Sequence, residues 1–342
     1  MSRAKQDRIH GHLAMTGLIN LSAALPLAAP LTLMVDPSGH CNFRCTFCPT
    51  GNHDLLREVG RTAGYMSLNL FEKLMDDLGD FPAPPKTLLL YLDGEPLMNK
   101  NIAKMVAYAK DSWPTMRVEI TTNAALLRPK LADGLLAVGL DHLRVSVEAV
   151  DGVGYREITK TYHDLSAIVG HVRRFRLERD ITKSRCTIHA KIPDTGLSDD
   201  DKALFRATWA PIADTVNIDS LFAWSERPET ALGQAPTTAM DGVTPRREIS
   251  CCPSPFKTLA IKWDGRAVAC CADWANHTTI GDANTQSLPQ IWDGEPLRAL
   301  RLLHLRGERH KNRACASCDY VRGTPAESDL SGHEARLLPM YA

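Results

Sequence analysis

From Leu31 to Asp219 short apolar runs alternate with amphipathic stretches. Leu31–Val35, Thr87–Leu92, Arg117–Thr121, His142–Val147, Arg185–Lys191 and Thr215–Ile218 read as strands. Between them Leu68–Leu78, Ile102–Lys110, Lys130–Val138, Ala167–Arg179 and Asp199–Trp209 carry helical spacing. Strands that are apolar almost throughout are buried on both faces, as in a parallel sheet with helical crossovers. The pattern predicts an α/β fold, either a barrel or an open sheet.

The pattern changes at Glu226–Glu248, a polar segment with Pro228, Pro236 and Pro245 that reads as a linker or loop. Beyond it, Leu259–Trp263 and Ala267–Ala269 flank Asp264-Gly265, a hairpin signal, and Ser287–Leu305 reads as a helix. The expected organisation is an N-terminal extension over 1–30, the α/β domain over 31–225 and the linker over 226–248. A small α+β domain over 249–325 and a tail over 326–342 follow. The chain shows no internal repeat and no low-complexity tract.

The 342 residues carry 40 Lys+Arg against 40 Asp+Glu, so a basic footprint for nucleic acid is absent. An apolar content of 44% fits a folded globular protein. The stretch Gly17–Met34 follows Arg3, Lys5 and Arg8 as an export signal would. Asn20, Ser22, Pro26 and Pro30 interrupt it, which makes a poor membrane span, and it runs straight into the first strand. A cytoplasmic, reducing location is therefore expected.

Seven of the ten cysteines stand at ligand-like spacings. Cys41, Cys45 and Cys48 spell C-x3-C-x2-C on the loop after the first strand. Three thiolates can hold three irons of a cubane and leave the fourth open to a small chelating molecule. The alternative is zinc, which wants four ligands; His40 or His53 would have to complete the set.

This loop, with Phe47 in its aromatic slot, resembles the radical S-adenosylmethionine (SAM) superfamily, and the likeness continues downstream. Asp93-Gly94-Glu95-Pro96 is similar to the family's GGEP motif, which binds the SAM amino group, with Asp93 in place of glycine. Thr121-Thr122-Asn123 matches the T-N-G position, and Ser146-Val147-Glu148 the ribose-contacting S-x-D, with Glu148 in place of Asp. All fall at C-terminal strand ends, where barrel-type sheets build active sites. The resemblance implies a partial (β/α)6 TIM-like barrel whose [4Fe–4S] cluster and SAM generate a 5′-deoxyadenosyl radical. It implies SAM contacts from Phe47, Gly94, Glu95, Pro96, Asn123, Ser146 and Glu148, and a flavodoxin- or ferredoxin-type electron donor.

Cys252 and Cys270 bracket the hairpin, and Cys315-Ala-Ser-Cys318 returns after the helix. Four thiolates can saturate a metal, so zinc remains a local alternative. Ile261 to Trp274, then Ile280-Gly-Asp282 and Ile291-Trp292, resemble the auxiliary-cluster region of SPASM and twitch proteins. With no cysteine after Cys318, the resemblance implies the twitch form with one auxiliary [4Fe–4S] cluster. Either Cys251 or Cys271 could exchange with its neighbour as ligand. Cys271 and Cys186 are candidate hydrogen-atom donors, though buried free cysteine is the commoner role. His189 and Lys191 share one face of a strand and are candidate substrate contacts. Tyr155, Arg156 and Lys160, just after the ribose motif, could approach SAM or substrate, with solvated helix positions the commoner reading.

The expected reaction is hydrogen abstraction leading to dehydrogenation, or else epimerisation, of a sugar, cyclitol or related small metabolite. Maturation of a peptide is a further alternative, disfavoured because only about thirty residues precede the first strand, too few for a winged-helix recognition domain. The non-enzyme alternative is an iron–sulfur or zinc binding module.

Overall fold

The computed structural model describes residues 19–223, 237–240 and 244–342. Arg3, Lys5, Arg8, Gly17 and most of the Glu226–Glu248 segment lie outside these residues. The first six strands are β1 (Thr32–Val35), β2 (Thr87–Leu90), β3 (Arg117–Thr122), β4 (His142–Ser146), β5 (Thr187–Pro193) and β6 (Thr215–Asp219). Each pairs in parallel with the next. The crossovers carry α1 (Leu68–Asp77), α2 (Ile102–Ser112), α3 (Pro129–Ala137), α4 (Gly152–Thr159), α5 (Leu165–Thr182) and α6 (Asp199–Trp209). Apart from α4, for which the pattern predicts no range, these match the expected elements to within a few residues.

Strand alternation divides the side chains between two faces. Leu33, Val35, Leu90, Ile120, Val145 and Ile188 enter the main core with Phe71, Leu74, Val106, Leu135 and Phe175 from the helices. Residues between them point into the barrel lumen. There Met34, Leu89, Ala260 and Val268 form a small apolar cluster. The chain also places Asp36, Glu119, His142, Arg144, His189 and Lys191 on this face, several of them buried.

The sheet continues past the expected domain boundary. β7 (Thr258–Ile261) pairs in parallel with the free side of β1, setting Val35 opposite Ile261. β8 (Arg266–Val268) and β9 (Thr279–Asp282) then add antiparallel. The order is β6-β5-β4-β3-β2-β1-β7-β8-β9, so the barrel is partial and unclosed. The β7–β8 turn rests on Gly265, whose φ of +92° suits glycine. A Cβ there would lie 2.2 Å from the Asn284 amide nitrogen.

One expected element is corrected. Ser287–Leu305 is two helices, Leu288–Trp292 and α7 (Glu295–Leu305). Gly294 is extended between them, and Pro296, lacking an N–H, suits the first turn of a new helix. The 326–342 segment folds as well: α8 (Glu334–Tyr341) buries Leu337 and Tyr341 with Leu302, Leu305 and Phe256. Among the described residues no helix is long and apolar enough to cross a membrane.

Candidate active site

The loop after β1 brings Cys41, Cys45 and Cys48 together beside the loop after β2. Arg44 N–H donates to the Thr159 carbonyl and Thr46 N–H to that of Ile158, so the end of α4 holds the loop from outside. Glu95 N–H donates to the His40 carbonyl at 2.8 Å. A Cβ on Gly94 would lie 2.1 Å from the Ser38 carbonyl oxygen and 2.4 Å from that of His40, so this cradle admits only glycine. Pro96 opens a short 3-10 helix capped by the Glu95 side chain.

Glu95 knits the strand ends. Its carboxylate accepts from Leu97 N–H, from Thr122 Oγ1 at 2.6 Å and from Asn123 N–H at 2.8 Å. Burial still pushes it up to about 7. Phe47 is half-buried on the cysteine loop, and Ser146 ends β4 opposite Lys191 of β5. Glu148 is buried and pushed up to about 7 by burial, with Lys191 pulling the other way. Tyr155 departs from expectation. It is fully buried, edge-on to Phe43 with ring centroids 5.8 Å apart, because α4 turns its apolar face beneath the cysteine loop.

His189 and Lys191 do share the lumen face. His189 Nδ1 and Thr215 Oγ1 share a 2.7 Å hydrogen bond, and His142 pairs in the same way with Thr187. The two rings stack at 6.2 Å. Burial, reinforced by Arg144, pushes both histidines down to about 3. His189 is thus a neutral wall residue. Lys191, nearer the motif end, pairs with Asp219 at 3.3 Å. Cys186 lies at the other end of β5, in the core between sheet and helices.

In the C-terminal region Cys252, Cys270, Cys315 and Cys318 line one cavity. Their neighbours Cys251 and Cys271 do not line it, though the Cys271 thiol stays in side-chain contact with Cys270. Cys251 is fully buried among Phe256, Leu305 and Leu337. Cys271 joins the lumen cluster beside Tyr91 and Leu92, with Sγ 3.7 Å from Tyr320 Oη. Neither Tyr320 nor Tyr91 carries a motif that would have singled it out.

Both cysteine sets fit iron–sulfur clusters. Every donor is a thiol, the set such clusters use. Burial pushes Cys41, Cys45, Cys48 and Cys315 up, Cys318 to about 12 and Cys252 to about 11. Without a cation these thiols stay neutral; a bound metal deprotonates them outright. Among the described residues no three His, Cys, Asp or Glu converge as ligands of a single metal ion. A cubane, whose thiolates bind different irons, does not need that convergence.

Residues 35–195 match the radical SAM superfamily model, and 251–319 match the SPASM iron–sulfur cluster-binding domain. The chain belongs to the radical SAM superfamily. More particularly, it joins that domain to a SPASM-type auxiliary domain, and with them a SAM-binding [4Fe–4S] cluster and an auxiliary cluster.

Fe-coproporphyrin III synthase of Methanosarcina barkeri is 32% identical over 110 residues, 32% of this chain and 25% of that protein. GTP 3',8-cyclase of Mycobacterium sp. strain KMS is 27% identical over 189 residues, 52% of this chain and 51% of that protein. The chain thus spans from a quarter to about half the length of these curated relatives. BtrN in complex with AdoMet and 2-DOIA shares the fold with a TM-score of 0.52 at 18% identity, covering 84% of this chain and 92% of that one. SuiB of Streptococcus suis bound to S-adenosylmethionine does so at 0.65 and 16%, covering 88% and 73%.

Proposed function

We propose that the chain dehydrogenates a small, polar, hydroxylated metabolite such as a sugar or cyclitol. The lumen supports this most directly. Level with Ser146 at the motif end, its wall carries the Lys191–Asp219 ion pair, and Glu148 lies within electrostatic reach of Lys191. Such walls match hydroxyl groups better than the apolar side chains of a peptide. The named activities of the synthase and cyclase relatives, and 2-DOIA in the BtrN complex, lend support for a small-molecule substrate.

When bound, the clusters and SAM supply the hydrogen-abstracting radical and an acceptor for the electron left behind. Cys41, Cys45 and Cys48 would hold the first cluster, and Cys252, Cys270, Cys315 and Cys318 the second. The Gly94–Pro96 cradle, Asn123, Ser146 and Glu148 would orient SAM. Lys191 and Asp219 would bind the substrate hydroxyls, and Asp219 would accept the hydroxyl proton. A flavodoxin- or ferredoxin-type protein would be the reductant.

One observation favours epimerisation as a second reading. Cys271 stands outside the four-thiol cavity, on the lumen wall, where its S–H could return a hydrogen atom to a substrate radical. Turnover of candidate sugars and cyclitols in D2O separates the two. Dehydrogenation yields a product two hydrogens lighter with no solvent deuterium on carbon. Epimerisation yields a product carrying one solvent deuterium, lost in Cys271→Ala. If deuterium from labelled peptides but from no labelled sugar or cyclitol enters 5′-deoxyadenosine, the small-metabolite reading is wrong.

A further inference from the structure

Four buried charged residues gather where β1, β2 and β7 end. Asp36 follows β1, Asp93 and Lys262 stand just beyond β2 and β7, and Arg61 enters from the segment before α1. Lys262 Nζ donates to Asp93 Oδ2 at 2.6 Å and to the Asp273 carbonyl at 3.1 Å. Arg61 Nη2 lies 3.5 Å from the same Asp93 oxygen. It also donates to Thr50 Oγ1, while Nη1 donates to the Trp274 carbonyl. Thr50 donates in turn to the Asp93 carbonyl at 2.8 Å. The Asp93 carboxylate thereby ties the stretch just after Cys48 to the stretch just after Cys270.

Asp36 stands apart within this group. It is fully buried, and no side chain donates to its carboxylate; the Asp93 backbone N–H is the one donor that acts on it. Asp93 Oδ1 has no hydrogen-bond partner, since both cations address its other oxygen. A buried carboxylate with a single backbone donor and a like charge beside it is less stable as an anion than as a neutral acid. A proton on Asp36 removes one of two negative charges from this buried group and leaves Asp93 as the anion that the two cations address.

We propose that Asp36 carries a proton beside the Asp93 carboxylate, and that Asp93, clamped by Lys262 and Arg61, is the joint positioning the SAM-binding Gly94–Glu95 loop against the auxiliary-cluster loop at Asp273–Trp274. Asp93 is also the residue that departs from the family's glycine, and a glycine there could form no such joint. Burial first, and the Asp93 charge second, push Asp36 up to about 8 against the pull of Lys262 and Arg61. The proton is therefore held at neutral pH and released as pH rises through that value. Release places a second negative charge beside Asp93 and loosens the joint.

Infrared spectroscopy of the reconstituted full chain, titrated from acid to alkaline pH, tests the proton. Beside the bands of Glu95 and Glu148, which fade near 7, a further protonated-carboxyl component is expected that fades with a midpoint near 8 and is missing in Asp36→Asn. The same variant should flatten the alkaline fall in SAM affinity. Asp93→Asn, which removes the shared anion, should weaken SAM binding by about tenfold or more. It should also shift the EPR signal of the auxiliary cluster, none of whose ligands it touches. Where Asp93→Asn does not fold, Lys262→Met carries the same two readouts. A neutral-pH spectrum unchanged by Asp36→Asn overturns the proposal, as does SAM affinity and an auxiliary EPR signal unmoved by the Asp93 or Lys262 variant.

Discussion

Asn123 Nδ2 donates a 2.9 Å hydrogen bond to Asn42 Oδ1, joining the strand-end SAM motif to the loop between Cys41 and Cys45. Two loops 81 residues apart in the chain are thereby held in one geometry. Asn123→Ala removes this bond and leaves Asn42 to His163 alone. The loss of about 1 kcal/mol predicts roughly fivefold weaker SAM binding, measurable by anaerobic titration calorimetry.

Gly94→Ala forces a methyl group against the Ser38 and His40 carbonyls, which are backbone and cannot swing aside. Destabilisation of at least about 2 kcal/mol is expected, with loss of SAM binding. Chemical denaturation of the unloaded protein checks the first part. A variant as stable as wild type would mean that the cradle is looser than described.

The cysteine assignment predicts a split outcome between neighbours. Two cubanes hold about eight irons in all, so Cys252→Ala should fall to about four per chain. Cys251→Ala, a core substitution among Phe256 and Leu337, should keep about eight while losing about 1 kcal/mol or more of stability. Iron and sulfide analysis with thermal melts reads both.

His142 and His189 are held neutral in the fold, near 3, against an ordinary value of 6.5. Between those values the unfolded chain binds more protons, so their contribution is complete above about pH 6.5 and is lost as pH falls. Each histidine can steepen the acid limb by up to about 1.4 kcal/mol per pH unit. Double replacement by Gln should flatten the stability profile between pH 4 and 6.5, read by urea melts across that range.

Local signals were reliable where the chemistry is local. The strand runs, the Asp264-Gly265 turn and the C-x3-C-x2-C loop involve neighbours in sequence, whose geometry depends little on the rest of the chain. The single helix expected over Ser287–Leu305 failed because its apolar spacing persists across Gly294 and Pro296, where the backbone stops. Tyr155 failed in the opposite sense. Nothing in its neighbourhood announces that Phe43 will cover it.

The sequence by itself determined the family, the parallel α/β pattern, the three-cysteine loop and the presence of a second cysteine set. Tertiary structure alone decided which member of each cysteine pair faces the cavity, because adjacent residues point to different sides and only packing says which side is which. It decided that β7 completes the sheet against β1, since strand pairing over that separation leaves no local trace. It also decided the partner of Asp93. The residue was visible as a departure from glycine, but Lys262 lies 169 positions away, and only the folded sheet brings the two charges within 2.6 Å.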